Sequence, residues 1–203
     1  MFLYVKELNK KREAEFSKAQ LLNLKYQLQP HFLFNTLNSI YALSLSQSEE
    51  TPGLILKLSN IMRYVVSESD KEYVLLEREL FHIQDYIALQ MMRMNNTVQC
   101  DTTFKGNAGT LKIAPMLLIN FVENAFKYGY NPEKNTIIQI ESEITENKLH
   151  FKTFNTKNHI ENKSTKKGMS NTQKRLEQLY PGRYQLHIID NPEDYTVLLE
   201  LNL

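Results

Sequence analysis

The chain of 203 residues is long enough to bury a real core, as one large domain or two small ones. Its 24 Lys and Arg against 23 Asp and Glu leave a formal charge of +1, which excludes a global pull toward nucleic acid or acidic membranes, and the lone Cys100 excludes an intramolecular disulfide and makes a reducing compartment the default. The six glycines, at 53, 106, 109, 129, 168 and 182, cannot write a P-loop or a G-x-G-x-x-G fingerprint, and no apolar run approaches the ~18 residues of a membrane span.

Residues 1–29 are predicted as one polar helix. Lys6 to Lys18 is dense in Lys, Arg and Glu, and Leu21, Leu24 and Leu28 follow at spacings of three and four. That pattern favours a coiled-coil-like dimer seam over a solitary helix, which is marginal without a partner to cover its stripe. Met1–Val5 is apolar and stops at Lys6, as the end of a membrane span would. A second helix is predicted over Pro30–Leu45, a polar loop over Ser46–Pro52, and helices over Leu54–Ser67 and Leu76–Met94. Ile55, Leu58, Ile61, Met62 and Val65 line one apolar stripe and Leu80, Ile83, Ile87 and Met91 the other, which predicts two antiparallel helices of a bundle.

After Asn95-Asn96 the composition changes. Val98–Phe104, Thr136–Ile144, Leu149–Phe154, Tyr184–Asp190 and Tyr195–Leu203 are rich in β-branched and aromatic residues and are predicted as strands. Glu146-Asn147 and Asn191–Asp194 are turns between paired strands. Helices over Pro115–Tyr128 and about Met169–Leu179 lie between them, and Asn155–Lys167, almost without apolar residues, reads as a mobile loop. The predicted fold is α+β: a signalling helix over 1–29, helices over 30–95, and over 96–203 an antiparallel sheet with helices on one face.

Two stretches carry chemistry. In Gln27-Leu28-Gln29-Pro30-His31-Phe32-Leu33-Phe34-Asn35-Thr36-Leu37-Asn38-Ser39-Ile40, helical spacing puts Asn35 ~40° to one side of His31 and Asn38 ~20° to the other. A polar file therefore runs along a helix otherwise made of Phe, Leu and Ile. A metal site lacks partners, since no His, Cys or carboxylate stands three or four positions on. A structural histidine and an exposed nucleophile both remain, because imidazole is a good nucleophile at neutral pH. The second stretch, Ile113-Ala114-Pro115-Met116-Leu117-Leu118-Ile119-Asn120-Phe121-Val122-Glu123-Asn124-Ala125-Phe126-Lys127-Tyr128-Gly129, is an amphipathic helix with a Pro start and a Gly stop. Asn120, Glu123, Asn124 and Lys127 share an arc of ~100°. Asn is a mediocre helix former and an odd choice for mere solubility, whereas amide oxygen and carboxylate suit a hard cation such as Mg²⁺ and a lysine suits phosphate.

At these residues the chain resembles the LytS/YehU-type sensor histidine kinases. Residues 27–40 look like the phosphoacceptor box of that family. Val122-Glu123-Asn124-Ala125-Phe126-Lys127-Tyr128-Gly129 is similar to the N-box of its ATPase domain, with Tyr128 where the family usually has His. Glu79-Leu80, Tyr86 and Arg93 match the helix between the boxes. Gly168-Met169-Ser170-Asn171-Thr172-Gln173-Lys174-Arg175-Leu176 resembles the lid-to-helix segment that ends the nucleotide pocket, and Thr196 matches a Thr commonly found near adenine.

The resemblance implies a dimerising helical hairpin that carries His31, followed by an α/β-sandwich ATP-binding domain of the Bergerat type shared with gyrase-like ATPases. It implies transfer of the ATP γ-phosphoryl group to His31 and onward to an Asp of a response-regulator receiver domain, of LytTR type, with no direct nucleic-acid binding. By resemblance Asn124 ligates Mg²⁺, Glu123 orients a Mg²⁺ water or acts as a polar base, Lys127 touches phosphate, and Asn120, Gly168, Asn171 and Thr196 belong to the nucleotide site. Phe32 follows His31 where many histidine kinases carry an acidic residue, so Asn35 is expected to orient the ring. Phe154-Asn155-Thr156 stands where an Asp-x-Gly-x-Gly box would begin, so Asn155 is expected to accept the adenine amino group through a neutral oxygen. Lys166 stands where the first lid glycine is expected. The alternative is a dimeric signalling module with degenerate nucleotide loops. The chain is expected to be the cytoplasmic portion of an inner-membrane-anchored protein.

Overall fold

The computed structural model describes residues 30–94, 97–131, 133–157 and 165–203. The helix expected over 1–29 lies outside these residues, as does the middle of the loop expected over 155–167. The chain divides into two units, one ending at Ser67 and the other beginning at Glu68.

The first unit holds helix α1, Pro30–Leu45, and nearly all of helix α2, Thr51–Glu68. On α1, Phe32, Thr36 and Ile40 are buried at spacings of four, one side of a helix. The helix stops without a glycine. Gln47 takes the left-handed conformation with φ 54°, Ser48 N–H donates to Leu43 O at 3.0 Å, and Gln47 N–H to Ser44 O at 3.1 Å, the paired bonds of a Schellman stop. On α2 the buried side consists of Leu54, Leu58, Ile61, Tyr64 and Val65. Ile55 and Met62, expected in the buried stripe, are 53% and 40% exposed instead. A second apolar file on α1, formed by Phe34, Leu37, Tyr41 and Leu45, is also exposed, between 47% and 68%.

The second unit runs through strand β1, Val74–Leu75; helix α3, Leu76–Met92; strands β2, Val98–Lys105, and β3, Lys112–Ile113; helix α4, Ile119–Gly129; strands β4, Thr136–Thr145, and β5, Lys148–Thr156; helix α5, Thr165–Leu179; and strands β6, Tyr184–Asp190, and β7, Asp194–Asn202. Five strands form one sheet in the order β2-β4-β5-β7-β6, and β1 and β3 pair separately. Period-two alternation fixes which face is covered: Leu149, Phe151, Thr153 and Asn155 of β5 and Val197, Leu199 and Leu201 of β7 are buried. Helix α4 lies against β4 and β5, where Phe121 meets Phe151 with ring centroids 6.4 Å apart. On α5, Met169, Thr172 and Leu176 are buried at helical spacing, and Tyr180 just beyond its end receives the Ala114 N–H on its hydroxyl at 2.7 Å.

Two expectations need correction. The sheet is not wholly antiparallel, because β2 pairs parallel with β4, from Val98 opposite Thr136 to Lys105 opposite Glu143. The connection between them contains α4, and a crossover of that length returns the chain to the end of the sheet from which it left. The boundary is also not at 95–96. Helix α3 belongs with the sheet unit: Tyr86 packs edge-on against Phe126 of α4 at 6.2 Å, and the fully buried Glu79 reaches the backbone ahead of α4.

Candidate functional site

The expected site residues fall in both units. In the first, the polar file of α1 forms as the spacing requires. His31 is exposed, and the Asn35 amide nitrogen lies 3.0 Å from its Nε2 and 3.2 Å from its Nδ1. Both ring nitrogens thus lie within hydrogen-bond distance of the same Asn35 amide, and which of them accepts from it depends on the ring's tautomer. The Asn35 backbone carbonyl accepts from Ser39 Oγ at 3.0 Å, and Asn38 stands exposed one turn along. The buried Phe32, Thr36 and Ile40 turn the opposite side of α1 inward, which is why the histidine faces solvent.

In the second unit the polar arc of α4 also forms. Glu123 and Asn124 are half-buried and Lys127 is exposed, its Nζ 5.1 Å from the centre of the Tyr128 ring. Asn120 is used differently from expectation, since its amide nitrogen donates to Met116 O at 3.0 Å and closes the turn ahead of the helix. That turn was predicted as helix from Pro115, but Met116 takes φ 56° and the helix begins at Ile119. Beside Glu123 stands a short chain of α3 side chains. Arg93 donates to Gln90 Oε1 at 3.3 Å, and Gln90 donates to the Tyr86 hydroxyl at 2.6 Å. Burial, reinforced by the Glu123 carboxylate, pushes the Tyr86 hydroxyl well above its ordinary pKa, so it stays protonated beside the carboxylate.

At the far end of α4, Gly129 lies directly against Asn155 of β5, and the Gly129 carbonyl accepts from the buried Thr136 hydroxyl at 2.9 Å. Asn155 is 1% exposed, and its amide nitrogen donates to Thr156 O at 3.0 Å, which leaves its carbonyl oxygen as the acceptor. Thr196 is not brought to this place. It pairs with Phe154 and shares that residue's face of the sheet, whereas Tyr195 stands opposite Asn155. Burial raises the Tyr195 hydroxyl pKa, with Asp190 and Tyr128 adding to it, so Tyr128, Asn155 and Tyr195 gather at the end of the sheet. Continuing the period-two pattern back from Leu201, Leu199 and Val197 would have selected Tyr195 from the sequence. Gly168 sits inside the α5 segment without a left-handed φ, its carbonyl accepting from Thr172 Oγ1 at 3.3 Å. Asn171 lines a different cleft of about 570 Å³, with Lys71, Lys174 and Arg175 among its walls.

No group of three or more His, Cys, Asp or Glu among the described residues is arranged to hold a metal. An amide and a carboxylate on one helix arc therefore fit Mg²⁺ only in the way that ion usually binds, through one or two protein oxygens with phosphate and water completing its shell. No helix among the described residues is long and apolar enough to cross a membrane.

Known proteins resemble this chain in sequence and in fold. Residues 19–98 match the family model for histidine kinase. Over 186 residues the chain is 29% identical to the sensor protein LytS of Bacillus cereus, covering 84% of this chain and 31% of that protein. It is 36% identical over 121 residues to the sensor histidine kinase YpdA of Escherichia coli, covering 58% of this chain and 21% of that protein. Among solved structures, the histidine kinase domain of the Erythrobacter litoralis EL346 blue-light activated histidine kinase is 12% identical at a TM-score of 0.48, over 91% of this chain and 94% of that one. The chain is thus similar in sequence to LytS-type sensor histidine kinases, and it spans about a third of the length of the LytS relative.

Proposed function

We propose that this chain is the kinase portion of a two-component sensor, which phosphorylates itself on His31 from Mg²⁺-bound ATP and passes the phosphoryl group to an Asp of a response-regulator receiver domain of LytTR type. The observation that carries the proposal is the exposed His31 with Asn35 at hydrogen-bond distance from its ring, within the segment that matches the histidine kinase family. ATP supplies the γ-phosphoryl group. At His31 a P–N bond forms through the ring nitrogen that carries the lone pair as the bond from the γ-phosphorus to the bridging oxygen of ADP breaks, and the other ring nitrogen gives its N–H proton to water, to which the exposed ring is open. Asn35 holds the imidazole in one orientation for that attack. Asn124 offers its oxygen to Mg²⁺, Glu123 orients a water of the ion's shell, and Lys127 sets positive charge beside the phosphates, the positioning and neutralisation that phosphoryl transfer mainly needs. Asn155 accepts a hydrogen bond from the adenine amino group, and Tyr195 rather than Thr196 stands next to it.

The exposed apolar files of α1 and α2 support a homodimer built on this hairpin. The chain's likeness to a sensor protein over about a third of that protein's length supports a cytoplasmic portion of a longer, membrane-anchored protein. Incubation with radiolabelled ATP and Mg²⁺ is expected to give an acid-labile phosphoprotein, with labelling abolished by His31→Gln. Labelling that persists in His31→Gln overturns the assignment.

One observation favours a second reading, a dimeric module that signals by shape with little nucleotide binding. Asn155 offers a neutral oxygen where charge assistance would roughly double the bond, and Gly168 is held in helix. Calorimetric titration with a non-hydrolysable ATP analogue and Mg²⁺ separates the two, since absence of heat at millimolar analogue selects the module.

A further inference from the structure

A single residue ahead of α4 is gripped from three helices. Met116 holds φ 56°, a left-handed conformation that a residue with a side chain adopts only when its surroundings impose it. Its N–H donates to Glu79 of α3 at 2.9 Å, and its carbonyl accepts from Asn120 of α4 at 3.0 Å and from Arg175 of α5 at 3.4 Å. The second Glu79 oxygen accepts the Leu118 N–H at 3.0 Å, so one carboxyl group takes two amides of the turn that leads into the helix. Glu79 is 0% exposed. Backbone amide donors and the positive end of the helix dipole stand there in place of water around that carboxyl group. Helix α4 is only Ile119–Gly129, so the direction of its first turn sets where Glu123 and Asn124 stand. The same α3 reaches the middle of α4 through Tyr86, against Phe126 and beside Glu123.

We propose that Glu79 is the positioning residue of α4: its two-oxygen clasp on the Met116 and Leu118 amides holds the strained turn that aims Glu123 and Asn124 at the nucleotide. This rests on the kinase reading for its chemistry, while the clasp itself stands on the geometry. A carboxylate that merely stabilised the fold would affect the fraction folded, whereas a positioning residue affects the rate of the folded molecule. Displacements of an ångström in such groups cost up to about a hundredfold in rate.

The test uses the whole chain and Glu79→Gln, which keeps shape but puts an NH₂ against one of the two amides. The expected results are hydrogen exchange at the Met116 and Leu118 amides faster by about tenfold, amides of β5 and β7 unchanged, a maximal labelling rate lower by about tenfold per folded molecule, and a KM for ATP within about threefold of wild type. Should Glu79→Gln fail to fold, Glu79→Asp, which keeps the charge, carries the same measurements with smaller shifts in the same direction. Unchanged exchange at Met116 and Leu118, or a labelling rate per folded molecule within about twofold of wild type, overturns the proposal. Absence of His31 labelling in the wild type overturns the kinase reading instead, and the exchange at the two amides then decides the clasp by itself.

Discussion

Gly129 ends α4 where a side chain has no room. A Cβ built on it would lie 3.0 Å from Asn155 Cβ and 3.5 Å from both Asn155 Nδ2 and Ile138 Cγ1. Its φ is not left-handed, so alanine in its place would gain about 0.5–1 kcal/mol of backbone entropy. The crowded methyl opposes that gain, and relief comes by pushing Asn155. Gly129→Ala is therefore expected to melt within a few degrees of wild type yet to bind the ATP analogue about tenfold more weakly by calorimetry, a loss of about 1.4 kcal/mol. Legibility at this scale varied with what fixes each residue. His31 with Asn35, and the Glu123–Lys127 arc, depend on helical period alone and were visible in the sequence. Thr196 was not resolved from Tyr195, because a one-residue slip along a strand moves a side chain to the other face and β7 has only a weak alternation at its start. Glu79 was visible as a matching residue, but its contact lies 37 and 39 positions away, beyond any local pattern.

At the scale of elements, the long periodic helices and the hairpin strands formed close to where composition places them, while two features escaped. The β1–β3 pair consists of two residues in each strand, too short to alternate. The turn ahead of α4 reads as helix because Pro115 is a natural first-turn residue, and only the tertiary grip on Met116 makes it otherwise. Helix α3 also carries a titratable group with a stability signature. Burial alone lowers the His82 pKa from 6.5 to about 4, so the folded chain resists protonation where the unfolded chain accepts it. The unfolded state then binds more protons between those values. Stability is fully present above about pH 6.5, falls as pH drops toward 4, and is constant below that. Urea denaturation at pH 7 and pH 5 is expected to show a loss of about 2 kcal/mol in wild type from this group, absent in His82→Gln.

For the molecule as a whole, the first unit leaves large apolar side chains exposed on both of its described helices. Phe34, Leu37, Tyr41 and Leu45 on α1 recur at three- and four-residue spacings, and Ile55, Met62 and Val66 do the same on α2 at spacings of seven and four. Such a surface is expected to be covered by a second copy. Sedimentation of wild type should give a dimer, and Leu37→Lys with Tyr41→Lys should give a monomer that keeps its far-ultraviolet helical signal. A wild type that stays monomeric at tens of micromolar removes the dimer from the proposed function. The sequence showed an apolar stripe on α2 but not the file on α1, and helical period alone could not tell that Ile55 and Met62 would stay exposed.

The parallel edge strand sets the order in which the sheet can close. Thr145 meets Lys148 across a turn, so β4 and β5 can zip as a local event. Val98 meets Thr136 only after the stretch containing α4 has folded back. Long-range pairing of this kind carries its loop-closure entropy before any contact repays it. Contact order alone therefore predicts that β2 joins the sheet later than the β4–β5 hairpin, and hydrogen exchange that finds β2 amides no more readily opened than those of β5 counts against it.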